Sequence, residues 1–147
     1  MNIFVTSPWP AESAICLPDK HIVKMPLECC QMLSIVASEK WGHNYGPLYK
    51  TDNTPYKTEK GAFRNHPCTK WAAESIHNAY WLIKHGMNLC DEYALRYGKV
   101  HSTDAKLRKI LATPPNYKID HQTKILTDPT PAMPDECKII GDVVGSY

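Results

Sequence analysis

The sequence predicts a mainly α fold: a single compact helical domain, residues 1–147, with long irregular loops between its helices. Two stretches, Asp19–Val36 and Cys68–Tyr97, carry many apolar residues and few helix breakers. Their apolar positions recur at the ~100° per residue spacing of a helix. A chain of 147 residues can also bury a hydrophobic core without disulfides to hold it. We therefore expect one domain built around these two helices.

Composition and charge exclude several classes of protein. There is no run of ~18 apolar residues and no charged, apolar leader, so we expect neither a membrane span nor a secretory signal and place the protein in the cytoplasm. Six cysteines include the adjacent pair Cys29 and Cys30 but no CxxC motif, which favours reduced thiols in the core over a disulfide framework. The formal charge of +2 permits nucleic-acid binding without arguing for it strongly.

The first helix, Asp19–Val36, organises the rest of the chain. Asp19 is a typical helix-start residue, and Pro26 is expected to kink the helix about one turn before Glu28. Apolar side chains cover most of the helix circumference, and one narrow sector holds the polar residues Lys20, His21, Lys24, Glu28 and Gln31. Because Lys, His and Glu are rarely buried without partners, we expect this polar stripe to line a cleft. The alternative is an ordinary amphipathic helix whose stripe faces water.

The segment from Lys40 to Arg64 is mostly irregular, and long loops of this kind are usually functional or disordered. It carries five Lys or Arg residues against Asp52 and Glu59, so the positive charge of the chain is concentrated here. Aromatic residues are interleaved with these cations, namely Trp41, Tyr45, Tyr49, Tyr56 and Phe63. This combination suits phosphate contact together with base stacking. The alternative is that the aromatic rings pack the loop onto the core while the lysines remain in water.

The second helix runs from about Cys68 to Tyr97, and Pro67 is well placed at its start. One side of it carries Trp71, Glu74, Asn78 and Arg96. Glu74 and Asn78, one turn apart, would face the polar stripe of the first helix across the cleft. A polar face in water is the alternative here as well.

The remaining segments predict less regular structure. Met1–Val5 reads as a short extended or buried apolar segment that places the terminal amine near the core. Residues 102–112 predict a short helix, and residues 116–136 predict a loop punctuated by prolines. The last eleven residues, Cys137–Tyr147, look like the start of a helix that stops early, which leaves open that the natural chain continues beyond Tyr147.

Three kinds of site chemistry compete. Histidines and cysteines are plentiful, yet no pair has zinc-finger or HExxH spacing, so we expect no metal site. Cys68 at a helix start beside His66 is a candidate nucleophile, because a helix N-terminus lowers a thiol pKa, but a thiol facing the core is the favoured interpretation. Glu28 among the cations of the polar stripe is the better candidate, as a general acid and base.

Asp19, His21 and Glu28 have the spacing of an Asp-x-His pair followed by a catalytic Glu. In this the first helix resembles the pyrimidine-dimer DNA glycosylases of the phage endonuclease V type. The stretch WLIKHGMNL is similar to a Leu-Lys-Arg-Gly-Phe-Asn-rich stretch of that family, and LPDKHIVKM, NHPCTKW and LCDEYALRYGKVH resemble segments of small phage proteins of this group. The resemblance covers roughly residues 1–100 and is strongest from Asp19 to Glu28.

The resemblance implies an all-helical protein that flips a nucleotide and attacks the sugar C1′ with the α-amine of its N-terminal residue. Glu28 would assist imine formation and the later β-elimination, with His21 beside it, and no cofactor is implied. An α-amine is a credible nucleophile because its pKa, ~8, leaves a useful neutral fraction at pH 7. Asn2 normally leaves Met1 in place, so Met1 and Asn2 are both candidates for the amine, and different chemistry is the third possibility.

The expected partner is duplex DNA with a damaged or modified base, bound by a monomer, in the host cytoplasm if the protein is viral. The family's cations near the catalytic Glu and the N-terminus are replaced here by Ile3, Leu27 and Gln31. Lys20 and Lys24 would compensate from the same helix face. We expect the DNA contacts to come from Lys20, Lys24, Arg64, Asn65, His66, Trp71, Glu74, Asn78 and Arg96.

Two other functions stay open. One is a phage nucleotide or DNA-base modifying enzyme that uses the same cleft, which turnover of free nucleotides without any effect on duplex DNA would favour. The other is a non-catalytic nucleic-acid-binding or host-takeover protein. In that case Glu28→Gln would leave activity untouched, whereas replacing Lys50, Lys57 and Arg64 would weaken binding and flatten its salt dependence.

Overall fold

The computed structural model describes residues 2–40, 47–112 and 125–147. Within them the chain is mainly α, as the sequence predicts. The helices are α1 (Pro10–Ile15), α2 (Asp19–Lys40), α3 (Pro67–Glu74), α4 (Ile76–Tyr97), α5 (Asp104–Ala112) and α6 (Val143–Ser146), with 3₁₀ turns at Ala62–Asn65 and Asp135–Cys137. No β-strand is found in these described ranges, only isolated bridges. None of the described helices is long and apolar enough to cross a bilayer.

Helix α4 lies at the centre of the packing, since it contacts α1, α2, α3 and α5. Its inner face buries Trp81, Leu82, Ile83 and Leu89. Helix α2 packs along it with a face that is almost fully buried, including Ile22, Cys29, Cys30, Met32, Leu33 and Val36. Most of the wide apolar sector of α2 therefore fills the core, as its sequence predicts, although Val23 in the same sector is 46% exposed.

The second predicted helix is in fact two helices. Ser75 has extended backbone, φ −148° and ψ 155°, between α3 and α4. Its buried side chain accepts a hydrogen bond from the N–H of Asn78 at 3.1 Å, and this satisfies a backbone donor that the first turn of α4 would otherwise leave unpaired. The prediction of one continuous helix from Cys68 to Tyr97 is corrected accordingly. The first helix begins at Asp19 as predicted and runs four residues past Val36 to Lys40.

Arg96, near the C-terminus of α4, ties the corner between α1 and α2. Its guanidinium donates to the carbonyls of Ile15 at 2.9 Å and Leu17 at 2.8 Å, and to the carboxylate of Asp19 at 3.0 Å. A planar guanidinium with five N–H donors suits this kind of multiple capture. Arg96 thus holds the entrance to α2 in place.

Buried Ser34 on α2 anchors the segment that follows α2. Its hydroxyl accepts the N–H of Leu48 at 3.0 Å and donates to the carbonyl of Lys57 at 2.5 Å, and so joins both ends of residues 48–57 to the helix. Between these ends the N–H of Lys50 donates to the carbonyl of Thr54 at 2.8 Å. The middle of the segment that the sequence predicts to be irregular is therefore a hydrogen-bonded turn; Trp41 and Tyr45 lie outside the described residues.

Ser34→Ala should lower the free energy of unfolding by about 2 kcal/mol, because the buried N–H of Leu48 loses its acceptor. Urea denaturation measures the change. Ser38→Ala is the matched control, since among the described residues that hydroxyl donates only to the carbonyl of Ser34 on the same helix, and it should cost less than about 0.5 kcal/mol. Equal effects of the two substitutions would contradict the anchoring role.

His85 on α4 is fully buried and stacks on Trp81, with ring centroids 4.9 Å apart. Its Nδ1 lies 3.1 Å from the carbonyl of Pro10, so that nitrogen carries the proton, and Nε2 has no hydrogen-bond partner among the described residues. Burial lowers the pKa of His85 to about 4. Protonation at Nε2 would place a charge in the core, and burial outweighs the backbone carbonyls of Pro10 and Ile3, which favour the charged form.

The unfolded chain binds this proton near the ordinary pKa of ~6.5, so between pH 6.5 and 4 it holds more protons than the folded state. The contribution of neutral His85 to the free energy of unfolding should be fully present above pH ~6.5 and should be lost as the pH falls. The expected loss is about 2 kcal/mol between pH 7 and pH 5. His85→Gln should remove most of this decline in urea denaturation at the two pH values. A decline of the same size in the variant would assign it to other groups.

Candidate active site

Glu28 is a buried carboxylate, 6% exposed, on the polar stripe of α2. Its Oε2 accepts the backbone N–H of Asn2 at 2.9 Å. Its Oε1 lies 3.3 Å from the ammonium of Lys24, one turn earlier, whose side chain is largely exposed. A carboxylate taken out of water needs such partners. Among the described residues, one comes from the N-terminal segment and one from the helix itself.

The side chain of Asn2 is held on several sides. Its Oδ1 accepts the backbone N–H of Ile3 at 2.7 Å and the phenol of Tyr147 at 2.8 Å. Its amide nitrogen donates to the carbonyl of Ala132 at 3.1 Å, and the N–H of Ala132 donates in turn to the Tyr147 oxygen at 3.2 Å. Ala132 and Tyr147, within residues 132–147, therefore clamp the side chain of Asn2 while its backbone N–H donates to Glu28. Burial raises the pKa of Tyr147 above its ordinary value.

Phe4 lies over His21 with ring centroids 4.3 Å apart and planes 14° from parallel. Phe4 has φ 56°, a left-handed conformation that is strained for a bulky side chain, and it also meets the ring of Tyr147 edge-on. The Nδ1 of His21 is buried and has no partner among the described residues. His21 precedes Glu28 by seven residues, so both lie on the same face of α2, about two turns apart. Strained backbone and an unpaired buried imidazole nitrogen are features that concentrate at functional sites.

His66 and Cys68 mark the start of α3 beside this site. The Nδ1 of His66 accepts the N–H of Cys68 at 3.2 Å, and burial lowers the pKa of His66. Burial also raises the pKa of the Cys68 thiol to about 11, which outweighs the lowering expected at a helix N-terminus. Cys68 faces the core, as the favoured interpretation of the sequence holds, and its neutral thiol is a poor nucleophile.

The other predicted site residues fall into two groups. Lys20 is exposed one turn before Lys24. Arg64, Asn65 and Glu74 line an open cavity of about 370 Å³ together with Glu39, Lys70 and Ala73.

Trp71 and Asn78 lie in the core instead of on an open wall, because both donate to Thr127. The indole N–H of Trp71 donates to the Thr127 carbonyl at 3.0 Å, and the side-chain amide of Asn78 donates to the Thr127 hydroxyl at 2.7 Å. Arg96 is occupied at the α1–α2 corner. Met1 lies outside the described residues.

The site also uses residues that sequence reasoning missed. Tyr147 and Ala132 reach Asn2 across more than a hundred residues of chain, and Thr127 fills the hydrogen bonds of Asn78. No local periodicity or motif signals such contacts. The only available signal was the buried apolar start of the chain, which predicts that the N-terminal segment is held against the core.

The fold and this geometry define a mainly α protein with a buried carboxylate beneath its N-terminal segment. The family model for pyrimidine dimer DNA glycosylase matches residues 1–106, and the chain therefore belongs to the pyrimidine dimer DNA glycosylase family. This confirms the resemblance first seen at Asp19, His21 and Glu28 and implies DNA as the substrate. Searches of curated proteins and of solved structures found no match. The clamp formed by residues 132–147 lies beyond the matched region.

Tyr147→Phe should loosen the clamp on Asn2, because it removes one hydrogen-bond donor to Asn2 and the acceptor for the N–H of Ala132. We expect a loss of about 1 kcal/mol in the free energy of unfolding and faster hydrogen exchange at the amides of Ala132 and Asn2. Tyr97→Phe on the exposed end of α4 is the matched control and should change neither amide. Unchanged exchange in Tyr147→Phe would show that the phenol does not hold Asn2.

Proposed function

We propose that the protein is a DNA glycosylase and lyase that acts on a damaged or modified base through an imine between the N-terminal amine and the sugar, with Glu28 as acid and base. One observation carries the proposal: the nitrogen of Asn2 lies 2.9 Å from a buried carboxylate. If Met1 is removed, that nitrogen is the α-amine, already placed against its proton acceptor. If Met1 is retained, its own amine is the nucleophile.

The chemistry starts with transfer of a proton from the α-ammonium to the Glu28 carboxylate, which frees the nitrogen lone pair. The amine attacks C1′ of the flipped nucleotide, and the N-glycosidic bond breaks as the base leaves with its electron pair and takes up a proton. The nitrogen loses a proton, which balances the one that the base takes up. The protonated Glu28 gives its proton to the ring oxygen as the C1′–O4′ bond breaks, which forms the imine and returns Glu28 to its carboxylate form. The Glu28 carboxylate then removes a proton from C2′, the 3′ C–O bond breaks, and the phosphate leaves. Water hydrolyses the imine and restores the amine.

The surroundings of Glu28 suit these steps. Lys24 is exposed at its ammonium end and can approach a DNA phosphate while it stays within 3.3 Å of the carboxylate. Lys20, one turn earlier on the same face, extends this positive edge. We assign His21, stacked beneath Phe4, to the wall that faces the flipped nucleotide. On the other side, Arg64, Asn65, His66 and Glu74 are the proposed DNA contacts that remain exposed or half-buried.

Trp71, Asn78 and Arg96 are not DNA contacts in the proposal, because their polar groups form hydrogen bonds inside the fold.

We further propose that the enzyme acts as a monomer and needs no cofactor. We place it in the cytoplasm, which is the host cytoplasm if the protein is viral. Among the described residues, no group of three or more His, Cys, Asp and Glu is arranged to hold a metal ion.

Glu28→Gln should lower the rate of strand cleavage at an abasic site or a thymine dimer by at least ~100-fold, because the amide cannot take a proton yet can still accept from Asn2. The measurement is single-turnover cleavage of a labelled duplex. Glu136→Gln carries the same charge change on an exposed residue and should stay within about twofold of wild type.

Full cleavage by folded Glu28→Gln would contradict the proposal. Turnover of free nucleotides with no effect on duplex DNA would favour the base- or nucleotide-modifying alternative. Duplex binding without cleavage, unchanged by Glu28→Gln, would favour the non-catalytic one.

A further inference from the structure

A narrow cleft of about 210 Å³ lies between the anchored turn after α2 and helix α5. We call it the lysine cleft. Its lining consists of Tyr49, Lys50, Thr51, Tyr56, Ser102, Ala105, Lys106 and Lys109. Three of these side chains are ammonium groups and none is a carboxylate, so the cleft is built for an anion.

No ion pair neutralises these lysines within the described part of the chain. Of the neighbouring acids, Asp104 and Asp91 pair with Arg108. The Asp52 carboxylate accepts both the N–H and the hydroxyl of Thr54 at 2.9 and 2.6 Å, and it interacts with Lys50 electrostatically without forming an ion pair among the described residues. Lys106 and Lys109 stand one turn apart on α5, and Lys50 faces them from the turn. Their charges are therefore available to a ligand.

Hydroxyls and aromatic rings complete the lining. Tyr56 is largely buried, with 7% of its surface exposed, and lines the inner part of the cleft. Lys50 lies over its ring, with the ammonium 6.0 Å from the centroid. Tyr49 is 47% exposed at the edge of the cleft, where its ring offers a free face. A phosphate with an attached planar base matches this arrangement of cations, hydroxyls and an exposed ring.

The cleft is rigid on the side of the turn. Ser34 holds both ends of residues 48–57, and the Lys50–Thr54 hydrogen bond closes the turn. Asn53 takes the left-handed conformation, φ 63°, that the tight turn requires. A preorganised site loses less conformational entropy on binding than a flexible loop.

The lysine cleft is also separate from the Glu28 site. Ser34, which holds both ends of the turn, follows Glu28 by six positions on α2. Six residues turn an α-helix by about 600°, which is about 120° short of two full turns, so the turn and the Glu28 carboxylate lie on different sides of α2. A ligand in the cleft does not occupy the reaction site.

We propose that the lysine cleft is a second binding site, one that takes the phosphate of a nucleotide between Lys50, Lys106 and Lys109 while its base stacks on Tyr49. The nucleotide is either free or part of a single strand, because both present the same phosphate and base. This site goes beyond the proposed glycosylase chemistry and does not depend on it. It gives a role to Tyr49, Lys50 and Tyr56, which the proposed glycosylase site does not use.

The test is an NMR titration of the full chain, labelled with ¹⁵N, with thymidine monophosphate and separately with an eight-nucleotide oligothymidylate. Binding should shift the amides of Lys50, Tyr56, Lys106 and Lys109, mapped residue by residue. An oligonucleotide that binds at least ~10-fold more tightly than the mononucleotide assigns the site to a strand, and similar affinities assign it to free nucleotides. Absence of shifts at these amides with both ligands would overturn the proposal.

The double variant Lys106→Gln, Lys109→Gln should weaken binding by at least ~10-fold, since two charge-assisted contacts are lost while good helix formers are kept. For the oligonucleotide the slope of log K against log salt should fall by about 1.4, at ~0.7 for each contact. The control double variant Lys84→Gln, Lys99→Gln makes the same charge change on exposed residues elsewhere and should bind within about twofold of wild type.

Lys50→Gln gives a second test, because it removes the cation that the turn contributes to the cleft. Equal losses in the test and control variants would overturn the proposal, since they would reflect net charge alone.

Discussion

The rest of the site depends on one interaction, the hydrogen bond from the Asn2 backbone nitrogen to the buried carboxylate of Glu28. A carboxylate at 6% exposure is stable only when its oxygens have partners, and the fold brings those partners from two directions. Lys24 comes from the same helix, and Asn2 from the start of the chain. The burial of Ile3 and Val5 on either side of Phe4 holds the N-terminal segment against α2 while its polar groups reach Glu28.

What could be predicted from the sequence is what local periodicity encodes. The polar stripe of α2 and the choice of Glu28 followed from one helical projection, and the family match supports the same helix. The break at Ser75 was missed because α3 and α4 have compatible apolar patterns, and only a buried hydroxyl that caps Asn78 separates them. Trp71 and Asn78 share the predicted side of the helix, but a projection does not show that residue 127 covers that side.

The segment after α2 shows the same limit of sequence-based prediction, here for a predicted loop. Its charge and aromatic content predicted nucleic-acid contact, and its composition predicted irregular structure. Ser34, a small polar residue within an apolar helix, turns part of it into an anchored turn, and α5 supplies Lys106 and Lys109 from about fifty residues further along the chain. A cleft assembled from two distant segments has no signature in either one.

The central claim is that an N-terminal amine held beside Glu28 is the nucleophile, and borohydride trapping on duplex DNA with an abasic site tests it most directly. Reduction fixes an imine as a stable amine, and mass spectrometry of the digested adduct locates the attachment. The account predicts a cross-link at the first residue of the mature chain, at the nitrogen of Asn2 if Met1 is removed, and a strongly reduced yield with Glu28→Gln. A cross-link to a lysine side chain, or no cross-link from folded protein that cleaves the duplex, would contradict it.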